Sequence, residues 1–192
     1  MSFKKFVEDM LKQLENVIWE MDFKKRGIFA NWLKRHNEYL RLEDSFDPEE
    51  GIAYKRRMVI HVDFGFRVGA EYGGFHWAAV IQNGSKKSAT VVVVPLSSVK
   101  KGQKVHPKDA DLGIINGLNE NHSEALVGQI TTISKMRIQK GKIHYLTDEL
   151  LNEIDHKIIE RYTGPQIKKK FNEKTEEKNF KFKKQDEKVL KA

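Results

Sequence analysis

The hydrophobic period of this chain changes near residue 55, from helical to strand-like, and that change limits what it can fold into. Before it, Phe3, Phe6, Val7, Met10, Leu11, Leu14, Val17, Ile18 and Met21 recur every three or four positions, which places them on one face of a helix. Gly27 is read as the break in that helix. A second helical stretch carries Phe29, Trp32, Leu33 and Leu40, and Asp47-Pro48 with Gly51 closes it. Residues 1–50 therefore form a helical hairpin. Its apolar stripe must pack on the main domain, a twin subunit or a partner, and the plainest choice is the chain's own core.

After the change the pattern is that of strands. In "MVIHVDF", Met58, Ile60, Val62 and Phe64 alternate with Val59, His61 and Asp63. "FHWAAVIQ" follows, then the turn "NGSKKS", then "ATVVVVP", a strand read as stopping at Pro95. "ALVGQITTISKMRI" supplies two more short strands. Successive strands with few long helical inserts imply an antiparallel sheet, bent or closed into a small barrel, in an α+β fold. The stretch "KKGQKVHPKDADLGIINGLNENHS" reads as a long polar excursion, mobile or covering a binding face. Residues 147–163 are a helix capped by Thr147, with Asp148 and Glu149 in the first turn and a stripe of Leu150, Leu151, Ile154, Ile158 and Ile159. Gly164-Pro165 stops it.

The domain reading is thus a helical extension over 1–50, a barrel domain over 55–163 and a lysine-rich tail over 164–192. From Lys168 the tail holds ten lysines against five acids, with Phe171, Phe180 and Phe182 between them. That composition argues for a mobile segment, or for an arm with lysines on phosphates and phenylalanines on bases. The formal charge is +8, a balance that suits polyanionic partners. The chain has no cysteine, which excludes disulfides, zinc ribbons and thiol nucleophiles. No apolar run approaches the roughly 20 residues of a membrane helix, and the first residues mix acids with bases, unlike a signal peptide. A cytoplasmic protein is expected.

Common catalytic motifs are missing. The seven histidines show no H-x-x-x-H or H-E-x-x-H spacing, and there is no G-x-S-x-G elbow. What stands out is "GAEYGGFHW" over 69–77 and "VVVVPLSS" over 91–98. Gly69, Gly73 and Gly74 let a ligand approach the backbone closely. His76 begins the next strand, and Ser97 and Ser98 follow the valines. If those strands are neighbours, His76 and Ser97 line one rim, where an imidazole moves protons near neutral pH and a hydroxyl holds a phosphate oxygen.

"RRMVIHVDFGFRVGAEYGGFHWAAVIQNG", "TVVVVPLSS", "VGQITTISKMRI" and "YLTDELLNEI" together resemble the PemK/MazF family of bacterial toxins, in that family's order and at compatible spacing. The resemblance covers roughly residues 55–160. It implies a strongly bent SH3-like barrel with a C-terminal helix. It implies metal-independent cleavage of single-stranded RNA, usually messenger RNA, with no cofactor. It also implies a homodimer with RNA in a groove across the interface, and an antitoxin protein that occupies that groove. Gly69 and Glu71 match the family's glycine–glutamate loop, followed by Gly73 and Gly74. The family's catalytic threonine or serine falls on Ser97, next to Ser98. Gln129, Thr132 and Ile133 match a later strand. The family commonly has a catalytic arginine and a proline where this chain has His76 and Trp77, and an arginine where it has Thr131.

On this reading His76 takes the proton of a ribose 2′-hydroxyl, or gives one to the leaving 5′-oxygen, and Ser97 binds a non-bridging phosphate oxygen. Glu71 competes for the base role, against a simpler task of fixing its loop. Arg67 and Lys100 are candidate phosphate clamps, Trp77 is a core aromatic or a base-stacking one, and Ser98 and Thr132 are further RNA contacts. No metal-ligating residue is assigned. Two other classes stay open: a toxin that poisons gyrase by protein binding, and a non-catalytic RNA-binding barrel.

Overall fold

The structure is a computed structural model, and it describes residues 1–118, 120–164 and 167. Two helices lead: α1 (Phe3–Glu20) and α2 (Phe23–Leu42). The break between them falls at Met21–Asp22, not at Gly27. Asp22 accepts from the Lys25 amide at 2.9 Å and so caps α2, while the Arg26 guanidinium donates to the carbonyls of Ile18, Trp19 and Met21 at the end of α1. A capped start outweighs one interior glycine, which costs about 1 kcal/mol against alanine. Short 3₁₀ turns at Glu43–Ser45 and Pro48–Glu50 lead to the sheet.

Seven strands follow: β1 (Met58–Asp63), β2 (Phe75–Val80), β3 (Thr90–Ser98), β4 (Ala110–Ile114), β5 (His122–Ala125), β6 (Thr131–Ser134) and β7 (His144–Tyr145). They form a curled antiparallel sheet in the order β4-β5-β3-β2-β1-β7, with β6 also paired to β3. β3 is the hinge of the curl. Its first half pairs with β6 and its last three residues pair with β5. Pro95 does not end β3 as expected. It sits where β3 changes partners, and its carbonyl accepts from the Leu126 amide at 2.9 Å, so the missing N–H is not needed.

The polar excursion is a second correction. Residues 110–125 form the β4–β5 hairpin, and Ala110, Leu112 and Ile115 are buried. The alternation was there, but only over a few residues. Of the two strands expected in "ALVGQITTISKMRI", only β6 lies wholly within it. Ala125 ends β5, and Val127–Gln129 and Lys135–Arg137 are 3₁₀ turns.

The core has two faces. One gathers Val59, Ala79, Val94, Leu96, Leu112 and Leu146 under Ile154 of α3 (Asp148–Tyr162); the other holds Ile60, Val62, Phe64, Val80, Val91 and Ile133. β1 is buried on both sides, so its alternation marks two interiors and not an inside and an outside. Thr147 caps α3 by accepting from the Leu150 amide at 3.4 Å.

The N-terminal helices divide the expectation made for them. α2 packs on the barrel: Arg35 Nε and Tyr39 Oη both donate to Asp63 Oδ2, at 2.8 and 3.0 Å, and Phe66 packs edge-on against Phe29 at 4.8 Å. The stripe of α1 does not reach the core, and Phe3, Phe6, Met10, Leu11 and Val17 are exposed. Eighteen residues of helix that touch the barrel only through α2 have no core to fill. The lysine-rich segment from Lys168 lies outside the described residues. Among the described residues no helix is long and apolar enough to cross a membrane.

Candidate functional site

The site is built on the connection between β1 and β2. Its base is closed by two hydrogen bonds, Phe64 N–H to Gly74 C=O and Gly74 N–H to Gly65 C=O, both 2.8 Å. Gly74 has φ +88°, a left-handed conformation that favours glycine, and a Cβ on Gly73 would lie 2.7 Å from the Gly65 oxygen. The glycines thus fold the loop back, with Tyr72 just before its closing Gly73-Gly74 pair. The Gln129 side chain holds that turn from both sides: Nε2 donates to the Ala70 carbonyl and Oε1 accepts from the Tyr72 amide, each at 3.2 Å.

Tyr72 is the centre. Its hydroxyl lies 3.0 Å from His76 Nδ1 and donates to the Leu96 carbonyl at 3.0 Å, and the Tyr72 and His76 rings are 4.3 Å apart. Ser97 stands beside the same hydroxyl, near enough to favour its ionised form. β2 and β3 pair as far as Ala78 and Pro95, and two residues further along each strand stand His76 and Ser97. There β3 has turned away to pair Ser97 with Glu124 of β5, and the Tyr72 hydroxyl fills the gap. With Tyr72 donating to Leu96, its oxygen is left to accept from an Nδ1–H of His76, and the Ser97 hydroxyl keeps its hydrogen for another acceptor.

Burial lowers the His76 pKa below 6.5; a Gly73 backbone hydrogen bond opposes this and nearby His61 adds to it. The ring is therefore neutral at pH 7. Burial raises the Tyr72 phenol, nearby Ser97 opposes that, and the Glu124 charge adds to it, so Tyr72 stays protonated.

The other candidates are spread more widely. Glu71 is exposed, and its carboxylate accepts weakly from the Val68 amide at 3.5 Å, a contact that fixes the loop. Its described contacts do not include His76. Trp77 packs in the core, edge-on to His144 at 5.0 Å. Ser98 is exposed at the end of β3, opposite Ser123. Lys100 is exposed in the next turn, where its carbonyl accepts from the Gln103 amide. Thr132 pairs with Val92, five residues from Ser97 along β3 and so roughly 16 Å away. Arg67 is half-buried, donates from Nε to the Phe64 carbonyl at 2.9 Å, and lies against Gly73.

Sequence reading missed Tyr72, Gln129 and Glu124. Tyr72 carried a signal: an aromatic between glycines, four residues before the histidine. Glu124 carried none, since its approach to Ser97 depends on β5, a strand hidden in a polar stretch.

Solved structures give distant resemblances. MazF of Deinococcus radiodurans (Form-I) is 16% identical at TM-score 0.47, over 57% of this chain and 96% of that one. A mycobacterial endoribonuclease in complex with its cognate antitoxin is 19% identical at TM-score 0.43, over 56% and 93%. The Mycobacterium tuberculosis toxin MazF-mt6 is 17% identical at TM-score 0.39, over 53% and 92%. No match is found among curated proteins. Family-level comparison is decisive where these are not: residues 55–161, more than half of the chain, match the PemK-like, MazF-like toxins of type II toxin-antitoxin systems, and the chain belongs to that family.

Proposed function

We propose that the chain is a toxin that cleaves single-stranded RNA without a metal ion, through the 2′-hydroxyl of its substrate. The observation that carries this reading is the Tyr72–His76 hydrogen bond, with Ser97 beside it, next to an open glycine loop. The neutral His76 ring takes the 2′-hydroxyl proton on the nitrogen not held by Tyr72. The 2′-oxygen forms a bond to the adjoining phosphorus, and the bond from phosphorus to the 5′-oxygen breaks. The leaving oxygen collects a proton, and the products are a 2′,3′-cyclic phosphate and a 5′-hydroxyl. The imidazolium that forms is stabilised by the backbone hydrogen bond at Gly73. Ser97 is placed to hold a non-bridging oxygen, and Tyr72 positions His76. Arg67, on the far side of the loop, adds positive charge along the path of the RNA backbone.

The usual family arginine grips phosphate with two prongs; His76 gives up that grip for proton exchange at neutral pH. A homodimer and a cognate antitoxin complete the reading. The mycobacterial endoribonuclease named above is in complex with its own antitoxin, and the exposed face of α1 leaves room for further contacts. Purified protein incubated in EDTA with a long single-stranded RNA tests the activity. The expected result is fragments ending in 2′,3′-cyclic phosphate. Binding without cutting leaves an RNA-binding barrel, and neither outcome leaves a toxin that acts by protein binding.

A further inference from the structure

A second cavity lies on the other side of the loop, between it and α2. Its volume is about 240 Å³, and its walls include Trp32, His36 and Glu43, with Phe66, Arg67 and Arg137. The Trp32 and His36 rings stack 4.9 Å apart at 14°, and Phe66 stands 6.4 Å from Trp32. Opposite this aromatic wall are two guanidiniums. Arg67 uses only Nε, on the Phe64 carbonyl. The Arg137 side chain makes no hydrogen bond among the described residues.

Asp63, whose charge acts on Arg137, is already taken. Asp63 accepts from Arg35, Tyr39 and the Gly65 amide. Only Glu43 remains against Arg67 and Arg137, so the cavity is net cationic. Burial and then the Arg67 charge lower the Arg137 pKa, while Asp63 and Tyr39 oppose this; the two arginines strain against each other, and an anion relieves that strain. The α2 wall lies outside the family-matched residues 55–161.

The chemistry is that of a flat ring carrying a phosphate. A cavity this small admits one such unit and not a peptide helix, which favours nucleic acid over a protein segment. Arginine forks suit phosphate, and stacking platforms suit any base. We infer that this cavity is an added nucleotide subsite, in which a base outside the cleaved step stacks on the Trp32–His36 wall and its phosphate is held by Arg67 and Arg137. It rests on the RNA-cleaving reading above, because the loop that carries Arg67 also carries Tyr72, so one strand can reach both.

The test is binding of the full chain to a fluorescent 2′-O-methyl RNA octamer of mixed sequence, which cannot be cut at any bond. Arg137→Gln should weaken binding about tenfold and flatten the slope of log affinity against log salt by about 0.7, the share of one phosphate contact on a single strand. Arg137→Lys should fall between, since it keeps the charge and loses the fork. His36→Ala tests the ring wall without touching the arginines, and should weaken the octamer at an unaltered salt slope. Affinities within twofold of wild type for both Arg137→Gln and His36→Ala, or no octamer binding by the wild type, would overturn the subsite; the first result hands the cavity to a protein partner. Arginine-dependent binding without cleavage of ordinary RNA would sink the nuclease reading and keep the subsite.

Discussion

Tyr72 occupies the point where β2 and β3 part, and its single hydroxyl ties His76 to the backbone of Leu96, beside Ser97. Removing that hydroxyl alone separates positioning from packing. Tyr72→Phe should keep the fold and lower cleavage by about tenfold, whereas His76→Ala should lower it about 100-fold, the usual span for a proton-transfer group. Full activity in His76→Ala would move the proton transfer elsewhere. The acid side of the pH profile has a defined sign. If neutral His76 is the base, the rate falls as pH drops below its folded pKa, which burial sets below 6.5. Stability follows the same direction: His76 and the buried His144 both have lowered pKa values, so the unfolded chain binds more protons near pH 6. Melting temperature should therefore decline as pH falls from about 7 through 6.5, and His144→Gln should flatten part of that decline. The strands that carry His76 and Ser97 were legible in the sequence, since each is a recognisable apolar run. The sequence was silent on Tyr72's role because a loop residue's direction is set by three glycine conformations that no pattern spells out.

At the scale of elements, α2 is bound to the barrel through a buried acid. Asp63 is fully buried, while the Arg35 that pairs with it retains 28% of its side-chain exposure. Asp63→Ala leaves Arg35 and the Gly65 amide without their acceptor, and should cost about 3 kcal/mol by chemical denaturation. Arg35 also lies 4.5 Å over the Phe75 ring, so the same change loosens the approach to β2. The two N-terminal helices should respond differently to removal. Loss of residues 1–21 takes away a helix with no buried residue and leaves Asp22 to cap α2, so the melting temperature should barely move. Loss of residues 1–53 strips Asp63 of Arg35 and Tyr39, and the melting temperature should drop by several degrees, about 2–4 °C per kcal/mol for a chain of this size. An equal response to both deletions would contradict the account of α2. Helices and central strands were legible from spacing. The boundary at Asp22 and the β4–β5 hairpin were not: a cap competes silently with a nearby glycine, and a five-residue strand in a lysine-rich stretch carries too few apolar positions to stand out.

For the whole molecule, membership of the toxin family rests on residues 55–161, and the helices before them lie outside that match. Light scattering should give about twice the 22.4 kDa of one chain if the proposed homodimer forms. The central claim is that the substrate supplies its own nucleophile, and it is tested by one nucleotide. A cut site is first mapped in single-stranded RNA in the presence of EDTA, and the ribose on the 5′ side of that cut is then replaced by deoxyribose. The account predicts that cleavage at that bond disappears while neighbouring sites are still cut; cleavage of the deoxy-substituted bond at the original rate would contradict it.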